Sequence, residues 1–343
     1  MKDNYLITGG AGFIGTNLAD YYLSKNKKVT ILDNLSRSGT RENLDWLQKQ
    51  HGSRVNFVKS DVRNADGILV ELVENADVVF HQAAQVAVTT SVTNPREDFD
   101  VNAMGTFNVL EAVRLSSSRP IVVFSSTNKV YGKMDDVEIV ERDGRYEYAS
   151  LKAGVPETRT LDFHSPYGCS KGCADQYMID YSRIYGLKTV VFRQSCIYGP
   201  HQFGVEDQGW VAWFTIRATK DLPFVIYGDG KQVRDVLNIE DLIRAYNAAV
   251  DCIDRTSGQV FNVGGGPHIT LSLLELINLL EQNFNRKLKY TFEDWRPGDQ
   301  PVYISDIRKA KECFNWEPLV DVKDGVTGLA DWIKENGHLF PGK

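Results

Sequence analysis

The stretch Thr8-Gly9-Gly10-Ala11-Gly12-Phe13-Ile14-Gly15 decides the fold of this 343-residue chain. It follows an apolar run, Asn4 to Thr8, and opens an amphipathic one, Gly12 to Ser24, so glycines in GxxGxxG spacing stand where a first strand turns into a first helix. Gly9 permits the tight turn, Gly12 lets backbone N–H groups approach a pyrophosphate, and Gly15 lets the helix pack close to the strand. Phe13 and Ile14 open the helix whose N-terminus then faces the phosphates. Asp33 closes the second strand, where a carboxylate accepts from both ribose hydroxyls and repels a 2′-phosphate, which favours NAD over NADP. Asn34, Ser36 and Arg37 follow as further cofactor-binding candidates, and Arg37 is close enough to keep NADP open.

Outward from this turn the first 130 residues alternate short apolar runs with amphipathic segments, the pattern of βαβ units around a parallel sheet. Asn4 to Thr8, Lys28 to Asp33, Val55 to Lys59, Asp77 to His81 and Pro120 to Ser125 read as strands. Gly12 to Ser24, Arg41 to Gln50, Ala65 to Glu74 and Pro95 to Leu115 read as the helices between them. Lys133 to Phe163 reads as loop, Ser165-Pro166 as the N-cap and first residue of a helix reaching about Tyr185, and Leu187 to Arg193 as a sixth strand. Beyond Gly199-Pro200 the alternation becomes irregular. Ser272 and Glu275 form a capping box, and Asp321 to Ile333 reads as a last helix. The prediction is an α/β chain: a doubly wound parallel Rossmann sheet over 1–193, and a smaller α/β substrate-binding domain over 194–343 from which some chain returns to the sheet.

The 39 Lys and Arg against 45 Asp and Glu give a net charge of −6, so no basic excess points to nucleic acid or an anionic membrane. No stretch approaches 18 apolar residues, and no leader-like run precedes Thr8. Cys169, Cys173, Cys196, Cys252 and Cys313 contain no CxxC pair, so reduced thiols in a cytoplasmic protein are expected and no metal site is.

Asp61-Val62 and Ala83-Ala84-Gln85 fall just past the third and fourth strands, at the carboxyl edge where the adenine and pyrophosphate of a dinucleotide lie. Ser125-Ser126-Thr127 brings hydroxyls to the same edge after the fifth strand. Tyr167 and Lys171 stand at i and i+4 near the start of a helix and share one face. A phenol near pKa 10 becomes a base at neutral pH only if about 4 kcal/mol of stabilisation favours its anion. The neighbouring ammonium, the helix N-terminus and a positive nicotinamide are the expected sources.

TGGAGFIG, the Tyr167-xxx-Lys171 set, Asn102-Ala-Met-Gly105-Thr106 and Gln232-Val-Arg234-Asp235-Val236-Leu237 recur in the order found in the extended short-chain dehydrogenase/reductase family. The chain resembles, over about its whole length, the branch of that family acting on nucleotide-linked sugars. The resemblance implies hydride-transfer chemistry at Thr127, Tyr167 and Lys171, a part for Asn102 in holding the central helix and cofactor, and Arg234 and Arg296 as diphosphate ligands, with Asp299 beside them in Arg296-Pro297-Gly298-Asp299. Guanidinium forks suit phosphate oxygens; read without the family, both arginines fit equally well in ion pairs with Asp235 or Asp299. The family's dehydratases place acidic residues after the catalytic Thr, whereas Asn128-Lys129 stands here, which implies an epimerase. The stretches Ser126 to Gly132, Asp162 to Gly172 and Asp207 to Val211 are similar to those of enzymes inverting C2 of CDP-linked hexoses. Asn128, Lys129, His164, Gln208, Trp210 and Val211 then shape the sugar or base pocket. Cys196 departs from the family's usual Asn or Ser.

A C4-epimerase of a UDP-sugar shares every cofactor and catalytic residue, differs in the region of His164 and Asp207 to Val211, and stays open, as does a non-catalytic NAD sensor on the same fold. The family also pairs subunits through a four-helix bundle, which here implies a homodimer on Phe99, Val101, Phe107, Leu110, Tyr177, Tyr181 and Ile184, although these could pack on the sheet instead.

Overall fold

A computed structural model describes residues 2–64, 67–296 and 299–340. Seven strands pair in parallel in the order Gln259–Val263, Thr189–Gln194, Ile121–Thr127, Val78–His81, Asn4–Thr8, Lys28–Asp33, Val55–Lys59. Their residues alternate between two cores. Ile7, Ile31, Phe80, Val123 and Phe192 face the helices Phe13–Ser24, Thr40–His51 and Ile239–Asp251, while Leu6, Leu32, Val79, Val122 and Val191 face Gly67–Glu74, Gly105–Leu115 and Ser165–Tyr185. A sheet covered on both faces explains the near-continuous apolar strands. Each fully buried side chain of this size contributes about 2 kcal/mol. The chain leaves Asn4–Thr8 in one direction and returns on its other side at Val78–His81, which opens a crevice at the strands' carboxyl ends.

A third core of Phe214, Leu276, Leu280, Leu329 and Ile333 joins the helices Trp210–Thr219, Leu273–Phe284 and Val322–Glu335. Ser272 and Glu275 make the reciprocal capping box, and Asp321 caps the last helix. Val233–Asn238 binds this part together, pairing with Cys196–Tyr198, Thr270–Ser272 and Val302–Tyr303.

Several sequence expectations need correction. Ile121–Thr127 and Thr189–Gln194 run further toward the crevice than Pro120 to Ser125 and Leu187 to Arg193. Pro95 to Leu115 is not one α-helix: Pro95–Phe99 and Gly105–Leu115 flank a π-helical turn, Asp100–Met104, and Val88–Thr93 adds a turn before them. The expected start of the third helix at Ala65 lies outside the described residues. Lys133 to Phe163 is not all loop, because Ile139–Arg142 and Arg145–Tyr148 form an antiparallel hairpin. Its turn, Asp143-Gly144, has both residues at positive φ, the geometry that Asp-Gly favours.

Ser165 carries φ 66° and its Oγ accepts from the Gly168 N–H at 3.3 Å, so it caps the helix from a left-handed backbone. Of the proposed pairing face, Phe99, Tyr177 and Ile184 are exposed, but Leu110 and Tyr181 are buried against the sheet and Val101 lines the crevice.

Candidate active site

The crevice is a cleft of about 700 Å³ along the carboxyl edge of the sheet. At its floor the glycines meet the demands their spacing implies. A Cβ on Gly15 would stand 2.3 Å from the Gly9 carbonyl oxygen, and one on Gly9 would stand 2.6 Å from the Ala83 nitrogen. Gly12 precedes the helix Phe13–Ser24, and no side chain caps that helix start, so its first N–H groups face the cleft that Phe13, Ile14 and Gly15 line. Asp33 ends its strand almost buried, its two oxygens accepting from the N–H groups of Ala11 (3.1 Å) and Leu35 (2.8 Å). Burial raises its pKa, and those two bonds draw it back down.

Asn34 donates to Asp61 at 2.7 Å, and Arg63 grips the same carboxylate at 2.7 and 3.0 Å, holding Asp61 down at about 2. Ser36, Val62, Ala83, Ala84 and Gln85 line the same half of the cleft. Arg37 lines it too, and donates to the Gln208 side chain across it at 2.9 Å. A cradle that any Cβ would fill, uncapped helical N–H groups and a carboxylate at the second strand's end suit a dinucleotide.

Asn102 does not line the cleft. From the π-helical turn it accepts the Gln85 N–H (2.9 Å) and donates to the Gln85 carbonyl (3.0 Å), so it fixes the cofactor-side loop from behind, and it also donates to Asp98 and Ser170.

Thr127, Tyr167 and Lys171 converge on the cleft. The Thr127 side chain favours the Tyr167 phenolate, and the Tyr167 backbone N–H donates to Ser91 at 3.1 Å. Lys171 is 3% exposed, its ammonium 4.1 Å from the centre of the Phe124 ring. Burial pushes the phenol up to about 12, against the pull of Thr127 and Arg37, and pushes Lys171 down to about 7, against Asp175 and Asp98. Among the protein's own groups desolvation is the larger effect on the phenol, so the positive nicotinamide expected from the sequence would have to supply part of the stabilisation of its anion.

Asn128, Lys129, Gln208, Trp210 and Val211 line the opposite half. Burial, then the charge of Arg234, brings Lys129 down to about 8, with Asp299 opposing. The Trp210 indole donates to the Cys196 thiol at 3.3 Å. His164 is exposed, and neither it nor Arg234, Arg296 or Asp299 lines the cleft. Arg296 lies on the Tyr227 ring at 3.8 Å and pairs with Asp207 (3.2 Å) and Glu206 (3.7 Å), of which Asp207 reaches the cleft. Pro297 and Gly298, between Arg296 and Asp299, lie outside the described residues.

The sequence reading missed a polar cluster under Ser125, which lines the cleft. Ser125 donates to Gln82, meets the Tyr246 hydroxyl at 2.6 Å and accepts from Gln194 at 2.9 Å. Gln82 and Gln194 follow or end strands at the crevice edge and were findable; Tyr246 sits in a distant helix and carried no local signal.

The family described as GDP-mannose 4,6 dehydratase matches residues 6–329. A CDP-paratose 2-epimerase from Salmonella typhi is 46% identical over 333 residues, covering 95% of this chain and 98% of that protein. The structure of a UDP-glucose 4-epimerase from Thermotoga maritima, holding UDP-glucose, superposes with a TM-score of 0.83 at 31% identity, over 97% of this chain and 99% of that one. A UDP-glucuronic acid 4-epimerase from Bacillus cereus, holding UDP-glucuronic acid and NAD, gives 0.82 at 29% identity with the same coverage.

Proposed function

Because the chain belongs to the extended short-chain dehydrogenase/reductase family that the GDP-mannose 4,6 dehydratase match describes, we propose that it is an NAD-dependent nucleotide-sugar epimerase inverting C2 of a CDP-linked hexose or deoxyhexose. The observation that carries this reading is the 46% identity to a CDP-paratose 2-epimerase across nearly the whole of both chains. Convergence of Thr127, Tyr167 and Lys171 on one cleft with the glycine turn supports it.

Thr127 and Tyr167 hold the C2 hydroxyl, and Tyr167 takes its proton as the carbon is oxidised to a ketone. NAD, when bound, supplies the reversible hydride acceptor and the positive charge that lowers the phenol into its working range. Lys171 keeps its ammonium beneath. The same phenol returns the proton after the planar C2 has presented its other face. Direct oxidation needs only this one base. Enolisation beside a 4-ketone acidifies C3 and C5 and offers no route to C2. The sugar end must therefore turn while the nucleotide stays held, the task we assign to Arg234, Arg296 and Asp299, with Lys129, Gln208, Trp210 and Val211 bordering the sugar.

Incubation with CDP-, GDP- and UDP-linked hexoses, followed by NMR, tests the reading directly. The expected result is inversion at C2 of the CDP-sugar, with no deuterium entering C2 in deuterium oxide. Inversion at C4 of a UDP-sugar, or solvent deuterium at C2, overturns it.

An epimerase must keep the reduced cofactor for the return step, so acid extraction of the purified protein should release close to one NAD per chain. Recovery of NADP, or a stoichiometric demand for added cofactor, counts against this. Asp33→Gly should weaken the preference against NADP.

We read residues 1–193 as the cofactor-binding part, 194–343 as mainly substrate-binding, and the enzyme as a cytoplasmic homodimer. The exposed Phe99, Met104, Tyr177 and Ile184 on neighbouring helices support the dimer, and five free cysteines support the compartment. Light scattering should give twice the chain mass at micromolar concentration; a monomer sinks that part of the reading.

A further inference from the structure

The catalytic helix carries Tyr167, Lys171 and Asp175 at successive i+4 positions, and only the first two line the cleft. Asp175 is fully buried. Its Oδ2 accepts from the Ser126 hydroxyl at 2.7 Å and from Arg193 Nε at 2.9 Å, while Oδ1 accepts from Arg193 Nη2 at 2.9 Å. Ser126 and Arg193 are register partners on adjacent strands, one residue before the ends of those strands at Thr127 and Gln194. The other arm of Arg193 donates to the Tyr131 hydroxyl at 3.2 Å, and Tyr131 in turn donates to Asn262 on the next strand. A two-pronged guanidinium–carboxylate pair leaves no slack, because both partners are planar and neither reaches water.

We propose that Asp175, clamped by Arg193 and tied through Ser126 to the strand ending at Thr127, is a positioning residue that fixes Thr127 and the Tyr167–Lys171 face against each other and keeps the charge beneath them balanced. The inference rests on the proposed roles of Tyr167 and Lys171. Without the clamp, the helix bearing base and ammonium keeps its apolar packing and the Lys171–Phe124 contact with the strand bearing Thr127, and these tolerate shifts that hydride transfer does not. The titratable and charged groups facing Lys171 are Asp98 from the helix Pro95–Phe99, His81 from the strand Val78–His81 and Asp175 on its own helix, and those facing Tyr167 are Asp98 and Arg37. His81 is held neutral by burial, at about 3. Arg193 and Tyr131 face Asp175 from the other side. Asp175 and Arg193 cancel, so removing either one leaves a full buried charge near Lys171 and Tyr167, with opposite sign in the two cases.

The test reads the titration of Tyr167 in the NAD-loaded protein, by tyrosinate absorbance after subtraction of the same variant carrying Tyr167→Phe, and needs no sugar substrate. Asp175→Asn, leaving Arg193 uncompensated, should move the titration to lower pH by about half a unit or more, and Arg193→Met should move it to higher pH by a similar amount. The paired variant Asp175→Asn/Arg193→Met should return it to near the wild-type value. Ser126→Ala keeps both charges and should leave the titration in place while lowering kcat at least about fivefold. Shifts of the same sign, no shift, or a Ser126→Ala enzyme with wild-type kcat overturns the proposal. If the single variants do not fold, the charge-neutral pair and Ser126→Ala decide it, the former by a displaced titration and the latter by an unchanged kcat. Absence of C2 inversion by the wild-type protein sinks the functional reading alone, since the opposite titration shifts are read without turnover.

Discussion

Tyr167→Phe lowers kcat by at least about 100-fold while leaving the fold and bound NAD in place. The ring stays in its buried site, and the loss is confined to the hydroxyl on the cleft that Thr127 also lines. A phenylalanine can neither accept the C2 hydroxyl proton nor return it, and no carboxylate follows Thr127 to take over. Lys171→Ala should fall by a comparable factor for a different reason: the phenol, already pushed up to about 12 by burial, loses the cation one helical turn away on the same cleft wall. Thr127→Ala should be milder, since it orients the hydroxyl without accepting its proton. Initial rates followed by NMR, with circular dichroism on the same samples, check the series. Near wild-type turnover by the phenylalanine variant removes Tyr167 from the reaction.

Gly9→Ala destabilises the protein by about 2–5 kcal/mol and empties it of NAD. Two costs combine at one atom. The backbone there has φ 66°, where a Cβ is strained by about 1–2 kcal/mol. The added methyl would also lie 2.6 Å from the nitrogen and 2.7 Å from the Cα of Ala83, both backbone atoms that cannot swing aside. The turn and the strand ending at His81 must part, and with them the cradle under the pyrophosphate. Gly144→Ala is the control: its φ is 77°, but nothing lies within 4 Å of the new methyl, so only the strain is expected and NAD should stay. Thermal denaturation and extracted NAD measure both. A Gly9→Ala protein as stable and as loaded as the Gly144→Ala control contradicts the argument.

The cofactor half was legible because each of its signals is local. A strand buried on both faces is a short apolar run, and a glycine turn or an Asp at its carboxyl end announces what the edge is for. The hairpin at Ile139–Tyr148 carries a local signal in Asp143-Gly144, but its strands are rich in charge, a polarity they share with loops. The π-helical turn carrying Asn102 has no composition of its own; it depends on how Pro95–Phe99 and Gly105–Leu115 each settle on their neighbours. Asp175 and Arg193 could be read as ordinary charges, since their meeting requires the register of two strands and a helix far apart in sequence. Arg296 shows the opposite limit. Its motif was plain, yet its engagement by Glu206 and Asp207 follows from a loop geometry that no spacing encodes.

The seventh strand, Gln259–Val263, gives the molecule an order of assembly. During synthesis Thr189–Gln194 leaves the ribosome as the rim of a six-stranded sheet, offering a row of unpaired N–H and C=O groups until the chain for Trp210–Thr219, Val233–Asn238 and Ile239–Asp251 has followed. The last rung is thus delivered by chain beyond Gln194, so the sheet cannot be completed before the helices Trp210–Thr219 and Ile239–Asp251 have been made. A nascent chain stalled between these points carries a sticky rim, which makes this interval the one in which a chaperone has most to protect.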